Sequence, residues 1–151
     1  MAQSLSKVFI HIVFHVNIAS AKIREEDNNN LYTHVGNIIK SNNSIPILIN
    51  GMEDHIHILC VLSKNMSLAK LVEEIKRNSS RWIKKLHPYY EKFSWQRGYG
   101  GFSVSPLAHD RVKKYIENQK EHHKHICFQE EYLTLLKEYE IEYNDQYLWT
   151  D

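Results

Sequence analysis

Apolar residues recur at every second position through residues 7–18, KVFIHIVFHVNI. Val8, Ile10, Ile12, Phe14 and Val16 share one face, and His11 and His15 share the other. Period-two alternation of this kind predicts a long strand. ASAKIREEDNNN is polar and reads as a connection, after which Leu31, Val35, Ile38 and Ile39 predict a helix over about 31–41. SIPILIN is a second strand, GMED a turn and HIHILCVL a third strand, so the second and third strands form a hairpin. Ser67 is placed to cap the next helix, which carries Leu68, Leu71, Val72, Ile75, Ser79, Trp82, Ile83 and Leu86 at helical spacing up to Pro88. FSWQRGYGGFSVS, residues 93–105, predicts a fourth strand interrupted by Gly98, Gly100 and Gly101, a sign of a bend or of backbone held near a ligand. AHDRVKKYIENQKEHH, 108–123, reads as a second strong helix, and FQEEYLTLLKEYEIEY as one more.

The order β-α-β-β-α-β with extra helix predicts an α+β fold. It is a ferredoxin-like, RRM-like sandwich: an antiparallel sheet with helices on one face plus C-terminal helices. In RNA-recognition modules of this shape the open sheet face stacks bases. The 151 residues suit one domain, with a core over about 7–123 and a helical tail over about 126–151. Residues 64–97 hold nine Lys/Arg against three Glu, whereas 126–151 hold seven acids and one Lys, although the whole chain is only +1. This asymmetry suggests a basic working surface and an acidic tail. On the helix after Ser67, the cationic side includes Lys70, Lys76, Arg77, Arg81, Lys84 and Lys85. With no balancing acids expected there, Arg77, Arg81 and Lys84 are candidate phosphate contacts. Cys60 and Cys127 have apolar neighbours and no disulfide or zinc spacing, so both are expected as free core thiols. The N-terminal stretch has no signal-peptide pattern and no run is long enough for a membrane span, which points to the cytoplasm.

Within the third strand, His55 and His57 sit two positions apart and therefore share a face, roughly 6–7 Å apart at ~3.3 Å per residue. Two neutral imidazoles at this spacing suit one metal ion. Tyr115 and Gln119 are four apart on the late helix and share one helical side. Two imidazoles and an amide oxygen leave a divalent ion its full charge and open positions for phosphate oxygens. A tyrosine beside such an ion is a nucleophile whose phenol ionises more easily. There is no G-x-x-x-x-G-K-[ST] loop for ATP. Tyr89, Tyr90, Tyr132, Tyr139, Tyr143 and Tyr147 read as packing or interface groups, with Tyr99 in the Gly-rich strand the second tyrosine of interest. His11 and His15 are too far apart in an extended strand to share an ion and read as structural groups or DNA contacts. His122, His123 and His125 have only Cys127 as a nearby thiolate, which is not a zinc pattern.

His-hydrophobic-His followed by a helix bearing Tyr-x-x-x-Gln resembles the single-tyrosine HUH transposases of small insertion sequences, including their relatives associated with repetitive extragenic palindromes. GMEDHIHIL, SSRWIKK, WQRGYGGFSVS, VKKYIENQKEHH and FQEEYLTLLKEYEIEY resemble that family's blocks, in its order and over nearly the whole chain. The resemblance implies that His55, His57 and Gln119 bind a divalent cation, Mg²⁺ or Mn²⁺. It implies that Tyr115 attacks a scissile phosphate, joins to the 5′ side and frees a 3′-hydroxyl. The implied substrate is single-stranded DNA with hairpin ends, cut and rejoined without ATP by a homodimer, commonly with the tyrosine serving the partner subunit's histidine pair. A non-catalytic single-stranded nucleic-acid-binding module on the same sheet is the alternative, and a metal-dependent phosphodiesterase using water is a third reading.

Overall fold

The structure is a computed structural model and describes residues 2–149. Its elements are β1 (Val8–His15), α1 (Glu25–Ser41), β2 (Ile45–Gly51), β3 (His55–Leu62), α2 (Leu68–Leu86), β4 (Gly100–Val104), α3 (His109–Glu117), α4 (Gln119–His122), α5 (Phe128–Glu138) and α6 (Asp145–Leu148). The four strands form one antiparallel sheet in the order β2-β3-β1-β4. This is the split βαβ arrangement that the element order predicts: β1 and β2 run parallel with β3 between them.

Alternation along β1 and β3 divides the sheet into two unlike faces. Ile10, Ile12, Phe14, Ile56, Ile58 and Cys60 point to one side, where they meet Leu31, Val35 and Ile39 of α1 and Leu71, Val72 and Ile75 of α2. The other side carries His11, Val13, His55, His57 and Leu59. It is not the open platform expected for base stacking. Ile116 and Val112 of α3 cover Leu59 and Val104. Phe128, Tyr132 and Leu136 of α5 cover Val13 and Phe102. The C-terminal helices therefore form a third layer over the histidines.

Several boundaries move, each for a physical reason. Helix α1 begins at Glu25, six residues before the first periodic apolar position. Glu25, Glu26 and Asp27 in its first turn complement the helix dipole. Asp27 accepts bonds from Arg24 Nε at 2.9 Å and from the Tyr90 hydroxyl at 2.5 Å. Strand β1 ends at His15, with only a single bridge from Val16 to Trp95 beyond it. The fourth strand is shorter than the expected 93–105. Phe93 and Trp95 are buried against the core, and Gly98 turns the chain with φ of +83° before pairing starts at Gly100. A Cβ on Gly100 would lie 2.8 Å from the Tyr132 ring, so this glycine admits α5 rather than a ligand. The helix expected over 108–123 is broken at Asn118 into α3 and α4. The tail is also divided, into α5 and α6. Cys60 is buried as expected, but Cys127 is exposed.

Candidate active site

The β2–β3 hairpin places His55 and His57 at the centre of the second face, both fully buried. Each ring has a fixed partner behind it. His55 Nδ1 lies 2.7 Å from Asp54 Oδ1, and His57 Nδ1 lies 2.8 Å from His11 Nε2. These contacts set the ring orientations and aim both Nε2 atoms at one point, and the Asp54 carboxylate behind His55 is the kind of support that metal-binding imidazoles use. Helix α5 brings a carboxylate to that point. Glu131 Oε1 is 2.9 Å from His57 Nε2 and 3.4 Å from His55 Nε2. The three donor atoms lie within 4.8 Å of one another. Gln119, at the start of α4, adds an amide oxygen 3.0 Å from His55 Nε2, and its Nε2 donates to Glu131 Oε2 at 3.0 Å.

Tyr115 reaches the same carboxylate from α3: its hydroxyl donates to Glu131 Oε2. Asn50 of β2 holds the end of α3 in place, its Nδ2 donating to the Ile116 carbonyl at 2.9 Å. His123 Nε2 lies 3.0 Å from Gln119 Oε1 and 3.2 Å from Glu131 Oε1, while His122 Nε2 lies 3.4 Å from the Tyr115 hydroxyl. Within the chain, Tyr115 therefore lies beside the histidine pair, joined to it through Glu131.

The electrostatics follow from burial and from one shared anion. Burial opposes charge on His55, but the Asp54 and Glu131 carboxylates outweigh it and hold its pKa up at about 9. Burial carries His57 down to about 4 despite Glu131, and carries His11, next to His57, down to about 3. Two neutral rings then share one proton across the 2.8 Å contact. Burial also opposes the charge of Glu131, yet bonds from His55, His57 and Tyr115 hold it well below the usual carboxylate range. Burial and the bond to Glu131 push the Tyr115 phenol above the ordinary tyrosine value. The donor set fits a divalent cation: two supported imidazoles, one carboxylate and one amide oxygen, all converging. It is not the all-neutral set expected from the sequence, because Glu131 adds a negative charge.

Of the sequence candidates, His55, His57, Gln119 and Tyr115 come together. Arg77, Arg81, Lys84 and Tyr99 lie elsewhere. Helix α2 packs against the opposite face of the sheet. Its cationic side is also not free of acids, since Glu73 and Glu74 pair with both Lys70 and Arg77. Arg81 and Lys84 are exposed, and Tyr99 lines a separate hollow with Arg97, Tyr132 and Tyr147. Glu131, His11, His122 and His123 were not assigned to the site from sequence. One signal marks Glu131: on the stripe Phe128, Tyr132, Leu135 and Leu136 it is the lone acid on an otherwise apolar helix face.

Comparison with known proteins agrees with this architecture. A Deinococcus radiodurans R1 protein, provisionally assigned as a transposase in its crystal structure, superposes with a TM-score of 0.60 at 20% identity, covering 79% of this chain and 98% of its own. A REP-associated tyrosine transposase bound to a REP hairpin superposes with a TM-score of 0.61 at 10% identity, covering 82% and 73%. At such identities the likeness is one of fold. No curated protein sequence matches the chain. No helix among the described residues is long and apolar enough to cross a membrane. The IS200-like transposase family matches residues 4–119, well over half of the sequence, and the chain belongs to that family.

Proposed function

We infer that this transposase cuts and rejoins single-stranded DNA at the ends of an insertion sequence, with Tyr115 as nucleophile and a divalent cation at His55, His57, Gln119 and Glu131. The observation that carries the reading is the Tyr115 hydroxyl bonded to the carboxylate that also faces both imidazoles. A bound cation would polarise a phosphate oxygen and draw charge from Glu131. Imidazole nitrogens in the donor set favour Mn²⁺ over Mg²⁺. The chain's own groups do the rest. Asp54 and His11 orient the imidazoles, and Glu131 fixes the phenol. The Tyr115 oxygen displaces the 3′-oxygen of one nucleoside from the scissile phosphate. A Tyr–O–P bond forms to the 5′ phosphate, the P–O3′ bond breaks, and the phenolic proton ends on the freed 3′-hydroxyl by way of nearby groups or water. Attack by another 3′-hydroxyl reverses the bond change and rejoins the strands without ATP.

The solved relative bound to a REP hairpin supports hairpin-ended DNA as substrate. Arg81, Lys84 and Tyr99 are proposed as secondary DNA contacts, and so is Arg77 once released from Glu73 and Glu74. The family resemblance supports a homodimer, to be checked by light scattering. The bonding of Tyr115 to Glu131 beside its own chain's histidines supports a cis site in place of the trans one common in the family. Core and tail act as one unit, because α5 supplies Glu131. The test uses single strands from the palindromic DNA flanking the gene, incubated with the protein and Mn²⁺. A denaturation-resistant protein–DNA adduct is expected with the native sequence and not with Tyr115→Phe. No adduct from any flanking strand, or an adduct that survives Tyr115→Phe, sinks the reading.

A further inference from the structure

A cleft of about 210 Å³ opens between α3 and α5, with Tyr115, Glu131 and buried His11 at its floor. Val112 and Leu135 give it facing apolar walls, Arg111 stands on the α3 side and Glu138 on the α5 side. We propose that this cleft seats the nucleobase of one nucleotide adjoining the phosphate that Tyr115 attacks, with that nucleotide's phosphodiester held by Arg111. The proposal rests on the nucleophile assignment made above and adds to it where the substrate lies and which side chain grips it.

Three observations carry it. First, position: whatever presents a phosphorus atom to the Tyr115 hydroxyl brings its neighbouring nucleoside into the space beside that hydroxyl, and the cleft is that space. Second, size and chemistry: the volume falls below the ~300–1,000 Å³ of pockets for drug-sized ligands. It therefore suits one flat ring between aliphatic walls rather than a length of strand. Third, charge: Arg111 precedes Tyr115 by four residues, so both project from one side of α3. Arg111 is exposed, and among the described residues no acid pairs with it. Its guanidinium is thus available to a phosphate, which it can grip by two parallel bonds. Glu138 on the far wall repels the same phosphate, so the opposed charges orient the nucleotide with its backbone on the α3 side. None of the cationic residues suggested by the sequence occupies this position.

The test uses the flanking-DNA oligonucleotide that the native protein links to Tyr115, and two versions of it with an abasic sugar on either side of the cut. Adduct rate is measured with the native protein, and equilibrium binding with Tyr115→Phe. One abasic version is expected to react and bind about tenfold more weakly or worse, as loss of a stacked base does. Leu135→Ala should shrink the gap between intact and abasic strands, with thermal melting checking that it folds. Arg111→Ala, at an exposed position, should weaken binding of the intact strand and lower the slope of log Kd against log salt by about one. Equal behaviour of all three strands, or an Arg111→Ala variant with unchanged affinity and salt slope, overturns the proposal. If the native protein forms no adduct at all, the nucleophile assignment fails and takes this seat with it. An adduct indifferent to both abasic positions removes the seat alone.

Discussion

The two faces of the sheet bury equally well and by opposite means. On the α1/α2 side, Ile12, Ile56 and Ile58 are fully buried among other aliphatics, and removal of area from water is what holds them. On the α3–α5 side, His55, His57, Gln119 and Glu131 are buried to the same degree, but every one of them is hydrogen-bonded to another. An apolar face tolerates a methyl group lost here or there at a graded cost. A buried polar network is held by mutual satisfaction, so each member sets the charge of the next. Stability should therefore answer to one face and chemistry to the other.

The largest effect expected on the polar face breaks chemistry without breaking the fold. Tyr115→Phe should cut covalent adduct formation by on the order of 10⁴-fold or more, while the melting temperature moves by only a few degrees, about what one hydrogen bond is worth. A collapse of the fold in this variant would mean the two faces are not separable. The converse change is Ile58→Ala, which should cost about 2–5 kcal/mol in urea unfolding and leave the adduct rate per folded molecule unchanged. Next in size is the response to metal. Mn²⁺ at a hundred times its Kd should stabilise the native protein by about 2.7 kcal/mol. The gain should persist in Ile58→Ala and vanish in His57→Ala, and equal gains in both would remove the cation from the histidine face.

The smallest effect concerns a buried acid outside the network. Bonds from Tyr90 and Arg24 overcome burial and hold the Asp27 pKa below its ordinary 3.8. A depressed carboxylate contributes stability that is present above the unfolded value and is lost as pH falls through the folded one. Urea midpoints should therefore drop as pH is lowered from 5 to 3, and less steeply in Asp27→Asn. Parallel curves for the two proteins would show that Asp27 is not linked to folding.

What could be read in the sequence followed from periodicity. β1, the β2–β3 hairpin and α2 declare themselves through alternation or helical spacing, and the shared face of His55 and His57 is a direct result of strand geometry. The start of α1 was hidden because REEDNNN has no apolar period, and only the acids and the Tyr90 contact make it helical. The break at Asn118 was hidden because YIENQKEHH keeps good helix formers across it. Gln119 is nonetheless buried beside His55. Glu131 escaped because an acid in an acid-rich tail reads as solvated. Its burial depends on a long-range encounter with β3, 74 residues away from His57 in sequence. Local pattern carries secondary structure, whereas a polar site assembled from three layers is a property of their docking.

Helix α5 has two jobs that cannot be taken apart. The same eleven-residue segment that delivers Glu131 also shields Val13 and Phe102 from water, and it lies beyond residue 119, where the family match stops. A reading frame closed early, soon after the second helical half of the molecule begins, would strip the anion from the histidines and bare a greasy patch at one stroke. Such a shortened product would be both inert and adhesive, a candidate for rapid proteolysis rather than a lingering competitor for DNA ends.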